Sequence, residues 1–167
     1  GWQGRPLRKG DQIPIRPLHQ KTILQLQIMP WFVYPDVSTG NAIRVMPGPE
    51  WAWLTDASKE NILNTSFVIQ PQSDRMAIKL QGQSLELHSP QEMISSAVQM
   101  GTVQLLPNGQ LLVLMADHQT VGGYPRILQI INADLPKLAQ MGALMHIAIS
   151  IISLQEAINA FPEMQAK

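Results

Sequence analysis

A mainly β chain folded as a closed or nearly closed antiparallel barrel, with a few short helices, is the architecture this sequence predicts. Three observations lead there. Thirteen Pro and eleven Gly interrupt the chain at short intervals, which favours short strands over long helices. Short apolar segments recur between these breaks, several of them alternating with a period of two. The turn Pro107-Asn108-Gly109-Gln110 sits between two such segments and reads as a hairpin, because an Asn-Gly pair tolerates positive φ.

In chain order, residues 22–29 alternate, with Leu24, Leu26 and Ile28 on one face and Gln25 and Gln27 on the other. Residues 43–46 form a second strand, stopped by Pro47-Gly48-Pro49. Thr55 or Asp56 can cap a short helix through Leu63, since its side-chain oxygen accepts from the free N–H groups of the first turn. Residues 66–70 and 75–80 read as strands around a turn at 71–74. Ser89-Pro90-Gln91-Glu92 has the form of a capping box with Pro at the first helical position, which predicts a short helix. Residues 103–106 and 111–116 are the arms of the hairpin. Residues 127–132 are β-branched and apolar, as a buried strand would be. Asp134 is placed to cap a helix through Gln140, with Pro136 in its first turn. Residues 143–152 alternate, putting Met145, Ile147, Ile149 and Ile151 on one face. A second capping box, Ser153-Leu154-Gln155-Glu156, opens a terminal helix expected to stop at Phe161-Pro162.

The 167 residues and 18.6 kDa suit one domain, or one domain and a fragment of another. Twelve basic and twelve acidic side chains give zero formal net charge, which removes the electrostatic footprint of a nucleic-acid or anionic-membrane binder. Charged residues make up only 14%, against about 25% in an average soluble domain. Such a surface is expected to be partly covered by a partner. Cysteine is absent, so thiol nucleophiles, disulfides and thiolate metal sites are excluded. No apolar run is long enough to span a bilayer. The start, Gly1-Trp2-Gln3-Gly4-Arg5-Pro6, has neither a signal core nor an initiator Met, so processing or truncation of a longer chain is expected.

Among candidate sites, there is no phosphate-binding glycine loop and no GxSxG elbow. His19, His88, His118 and His146 are scattered without metal-ligand spacing, so no metal is expected; His146 reads as a hydrogen-bonded structural residue. One stretch concentrates chemistry: Asp117-His118-Gln119-Thr120-Val121-Gly122-Gly123-Tyr124-Pro125. Asp117 or His118 could move a proton, Tyr124 could donate a hydrogen bond, and Gly122-Gly123 could bring N–H groups to a developing oxyanion. The same residues also suit a wide polar turn. Gln72-Ser73-Asp74-Arg75-Met76 is a second candidate: Arg75 could clamp an anion, or pair with Asp74 to fix the turn. Trp31, Phe32, Tyr34, Trp51 and Trp53 are the residues of a core or interface cluster.

The ordered series Arg44-Val45-Met46-Pro47-Gly48-Pro49, Ser73-Asp74-Arg75-Met76, Ser95 with Gly101-Thr102-Val103-Gln104, Pro107-Asn108-Gly109-Gln110, residues 116–125 and Asp134-Leu135-Pro136-Lys137-Leu138-Ala139-Gln140 resembles the allophanate hydrolase subunit 2 family. The likeness begins at Gly4-Arg5-Pro6-Leu7-Arg8-Lys9-Gly10-Asp11 and runs to about Phe161. It implies a cyclophilin-like barrel and a C-terminal part, roughly half, of the family's subunit. Residues 1–40 would then continue from a missing N-terminal barrel, 41–162 would form the barrel, and 163–167 a tail. Three positions depart from the family's pattern: Ala77 for a glycine, Val121 for a threonine, and Met141-Gly142-Ala143 for an Arg-Pro-Gly-like turn.

The resemblance further implies a cytoplasmic component of an ATP-dependent 5-oxoprolinase complex, opening an amide or lactam beside a KipI-like subunit and a LamB/YcsF-like protein. ATP would act at the level of the complex, not through a motif of this chain. Asp117, Tyr124 and His118 would be catalytic. Arg75, Gln104, Gln119, Thr120, Gly122 and Gly123 would bind substrate. Two alternatives stay open: a biotin-dependent carboxyltransferase acting on urea or a related amide, and a non-enzymatic module that binds a KipI-like partner. The isolated chain is expected to be inactive under either enzymatic reading.

Overall fold

The computed structural model describes residues 4, 5, 7–14, 40–91 and 93–165, the side chains only as far as 160. The chain divides into two units, Gly1–Val33 and Tyr34–Lys167. In the first, Arg5 donates to both carboxylate oxygens of Asp11 at 2.8 Å, and the Arg8 N–H joins them, closing a small turn. The strand expected at 22–29, His19 and the aromatic residues Trp31, Phe32 and Tyr34 lie outside the described residues.

The second unit is a closed barrel. Its strands are β1 (Ala42–Pro47), β2 (Ser66–Ile69), β3 (Ala77–Gln81), β5 (Thr102–Leu105), β6 (Leu111–Leu114), β8 (Arg126–Ile130) and β9 (His146–Ile151), in the order β1-β8-β5-β6-β3-β2-β9. A separate two-stranded ribbon joins β4 (Ser96–Ala97) to β7 (Val121–Gly122). The barrel is not wholly antiparallel. It closes through a parallel pair, β1 on β9, with Ile43 opposite Ile149. Alternation fills the interior: Ile43, Val45, Phe67, Ile69, Val103, Leu128 and Ile147 are all nearly inaccessible. Each such aliphatic side chain contributes about 1.5–3 kcal/mol by leaving water.

The hairpin forms as expected, Val103 facing Val113, and Gly109 alone takes the positive φ. Thr55, not Asp56, caps α1 (Asp56–Asn64), its hydroxyl accepting from the Ser58 N–H at 3.2 Å. At the barrel end reached by β1 as it finishes, Leu54 and Ile62 form the cover; at the other end Leu135 and Leu138 of α2 (Leu135–Gln140) do. The face expected from 143–152 holds for Ile147 and Ile149, whereas Met145 precedes β9 and is exposed. His146 meets the Ser66 hydroxyl at 3.3 Å across β2 and β9.

Three local expectations are corrected. No helix follows Ser89 among the described residues: Pro90, Gln91 and residues 93–95 carry no regular element before β4, and the Ser89 hydroxyl accepts from the Gln91 side chain at 3.5 Å. The Asp134 carboxylate does not cap α2; it turns to Arg44, 90 residues away, because a charged, bidentate partner outcompetes a local N–H. The terminal helix α3 (Leu154–Gln165) opens on the expected capping box, with Ser153 N–H and Glu156 Oε2 at 2.7 Å, but it runs through Pro162. Proline removes one donor and can kink a helix without ending it.

Candidate functional site

The ladder between β3 and β6 continues past both strands. Met115 N–H donates to the Met76 carbonyl and Asp117 N–H to the Arg75 carbonyl, each at 2.9 Å. This places two side chains at one barrel end, where Arg75 donates from Nε to Asp117 Oδ2 at 2.7 Å and from Nη2 to Oδ1 at 3.0 Å. Asp74 is not the partner of Arg75. Its Oδ1 accepts from the Met76 and Ala77 N–H groups at 2.8 and 3.1 Å, which fixes the turn before β3. The Arg75 guanidinium holds the Asp117 carboxyl below the usual aspartate range, and Asp117 in turn raises Arg75. A carboxylate so held is a weak base at neutral pH; it suits charge pairing better than proton transfer.

From Asp117 the chain climbs the outer wall of the barrel. His118 stays exposed with its Nδ1 against the Gln119 carbonyl, and the Thr120 carbonyl accepts from the Val98 N–H at 3.1 Å. Gly122, in β7, lies over Gln104, which is fully buried although it faces outward from β5. A Cβ on Gly122 would come within 2.5 Å of Gln104 Nε2, so a glycine is what lets the ribbon settle there. Gln104 Nε2 donates to the Tyr124 carbonyl at 3.4 Å, and its Oε1 has no hydrogen-bond partner among the described residues.

Side-chain hydrogen bonds tie the ribbon to the barrel. Arg126 donates from Nη1 to the Ala97 carbonyl at 3.1 Å, and from Nε and Nη2 to Glu50 at 2.9 and 2.7 Å. Burial raises Glu50, but the Arg126 hydrogen bonds and charge outweigh it and hold the carboxyl below its usual range. Thr102 donates to Gln129 Oε1 at 3.0 Å beside them.

Tyr124 and Gly123 lie at the opposite barrel end from Asp117. Pro125 accepts from the Leu105 N–H where β5 finishes, and Tyr124 lines an open cleft of about 860 Å³ with Leu85, Leu105 and Pro107. The nine residues read as one loop are therefore spread along the whole wall. Arg75, Asp117 and His118 share one end, Gln104 and Gly122 meet on the wall with Thr120 bonded to Val98 beside them, and Gly123 and Tyr124 reach the other end. Glu50, Arg126 and the Arg44–Asp134 pair escaped sequence reading. Their partners lie 76 and 90 positions apart, and nothing in local spacing marks them. Among the described residues no cluster of His, Asp or Glu could hold a metal ion, and no helix is long and apolar enough to cross a membrane.

The barrel is shared with the urea carboxylase of Kluyveromyces lactis, which superposes with a TM-score of 0.73 over 79% of this chain and 13% of that one. At 17% identity this is a likeness of fold alone. Residues 1–149 match the family described as carboxyltransferase domain, subdomain A and B, and the chain belongs to that family. It is 41% identical over 157 residues to the 5-oxoprolinase C subunit of Haemophilus influenzae, covering 94% of this chain and 48% of that protein. The Escherichia coli 5-oxoprolinase C subunit is 38% identical over 165 residues, covering 99% and 51%. The chain thus spans about half the length of these curated relatives.

Proposed function

We propose that this chain is part of the C subunit of an ATP-dependent 5-oxoprolinase, a complex that opens a cyclic amide with a KipI-like subunit and a LamB/YcsF-like protein. The observation that carries the reading is the 41% identity to a 5-oxoprolinase C subunit over nearly the whole chain. The lactam carbonyl is a poor electrophile, so ATP would be spent to activate it, and the complex supplies the nucleotide site. Within this chain the Arg75–Asp117 end is the part proposed to meet substrate. Asp117 orients the guanidinium there, while Gln104 and Gly122 hold the wall segment that leads to Tyr124. The test is glutamate release. The full-length protein with its partners should form glutamate from 5-oxoproline only when ATP is present; no release sinks the reading.

The family description favours a second reading, a biotin-dependent carboxyltransferase component acting on urea or a related amide. It requires a biotin carboxylase and a biotin carrier encoded alongside. Carboxylation of urea by the assembled proteins, in place of glutamate release, would establish it.

A further inference from the structure

Arg126 and Arg75 each line a cleft among the described residues, and they differ in what they have left to give. Arg126 borders a cleft of about 280 Å³ on the barrel wall, but its N–H, Nε and Nη2 go to Glu50 and its Nη1 to the Ala97 carbonyl. Its charge is matched and its hydrogen-bonding groups are engaged. The larger cleft beside Tyr124 carries Glu86 and no basic side chain among its described lining residues, so nothing there pairs with an anion.

Arg75 is different. It borders a cleft of about 480 Å³ at its own barrel end, and its side chain is 79% exposed. Asp117 occupies Nε and Nη2, so Nη1 keeps its N–H groups for another acceptor. Ile69, Ile78, Met100 and Met115 give this cleft apolar walls, and Gln70 and Ser73 add polar groups; Asp74 also borders it, with its Oδ1 taken by the Met76 and Ala77 N–H groups. Ser73 Oγ accepts from the Lys79 N–H at 3.0 Å, which leaves its hydroxyl hydrogen to donate. Gln70 uses only Nε2, toward the Val68 carbonyl at 3.4 Å, so its Oε1 can accept.

We infer that this cleft is a subsite for a small lactam or amide that bears a carboxylate, and that Arg75 Nη1 recognises the carboxylate. The amide carbonyl accepts from the Ser73 hydroxyl, the amide N–H donates to Gln70 Oε1, and the methylenes of the ring rest on the methionine and isoleucine wall. Asp117 is then an internal competitor: it holds the guanidinium in place and lowers its pull on the incoming anion. The inference rests on the 5-oxoprolinase reading for its ligand, since 5-oxoproline combines a carboxylate, a lactam and a small apolar ring.

Equilibrium titration of the full-length protein with 5-oxoproline and with 2-pyrrolidinone, which lacks the carboxylate, tests it. Arg75→Gln should weaken 5-oxoproline binding about tenfold or more, as expected for a charged hydrogen bond, and leave 2-pyrrolidinone unchanged. Asp117→Asn removes the competing charge while its amide oxygen can still accept from Arg75 Nε and keep the guanidinium in place, so it should bind 5-oxoproline at least as tightly as the wild type. If both variants weaken alike, if Arg75→Gln has no effect, or if the wild type does not bind 5-oxoproline, the subsite is overturned. Arg75-dependent binding without ATP-dependent glutamate release from the assembled complex would instead remove the enzymatic reading and leave the subsite standing.

Discussion

Asp134 Oδ2 accepts the Arg44 main-chain N–H at 2.7 Å while Oδ1 takes the Arg44 Nη2 at 2.6 Å, so one carboxylate holds both the backbone and the side chain of the same residue. Asp134 is 5% exposed and stands at the entry to α2; Arg44 stands near the start of β1. The contact fastens the helix that covers one barrel end to the strand that closes the barrel.

Asp134→Ala should therefore cost about 2 kcal/mol, the range for hydrogen bonds to charged groups, and Asp134→Asn should recover part of it. Urea unfolding measures both. Equal loss from the two variants would show that shape, not charge, holds α2.

Gly48→Ala should cost about 3 kcal/mol, at the upper end for overpacking. The new Cβ would fall 2.2 Å from the Arg126 carbonyl oxygen, which is backbone and cannot swing aside, and Gly48 N–H already donates to the Ile127 carbonyl at 2.8 Å. A melting temperature unchanged by this substitution would contradict the close approach of β1 to β8.

Gly122 and Gln104 should behave as a coupled pair. Gly122→Ala is expected to destabilise by about 1–2 kcal/mol, because its Cβ meets a buried side chain with nowhere to go. Gln104→Ala in the same chain should relieve most of that added cost. A double-mutant cycle reads the coupling directly, and strict additivity would argue that the ribbon does not press on Gln104.

The Glu50 carboxyl is held below its ordinary value near 4.5 in the folded chain. A depressed carboxyl stabilises the fold fully above the unfolded value and ceases to do so as the pH falls through the folded one. Acid titration of stability should thus show a loss beginning below about pH 4.5, and Glu50→Gln should flatten that part of the curve while lowering stability at neutral pH. An identical acid slope in the variant would assign the effect to other carboxylates.

Strands were the part of the fold the residues disclosed most clearly, because burial on one face imposes a period of two wherever it acts, as at Ile147 and Ile149. Short polar motifs disclosed less. Ser89-Pro90-Gln91-Glu92 and Asp134 both carry helix-start chemistry, yet the first opens no helix among the described residues and Arg44 takes the second. The site divides in the same way. Sequence nearness suggested that Asp117 and Tyr124 act together, but the chain between them climbs the barrel wall. Asp117 finds its partner at Arg75, 42 positions away, through a continued ladder that no local pattern announces. The parallel seam between β1 and β9 was equally invisible, since a residue's alternation is the same whichever way its neighbour runs.

That seam also sets the order in which the molecule can be completed. β9 lies between β1 and β2, and the strand that joins the two ends of the sheet is the last of the barrel to leave the ribosome. Until residue 151 has been synthesised, Ile43 and Phe67 have no lateral neighbour on that side, and the nascent sheet keeps two raw edges of unpaired N–H and C=O groups. Closure is a late, long-range event, of the kind that makes folding slow and leaves growing chains dependent on whatever shields such edges in the meantime.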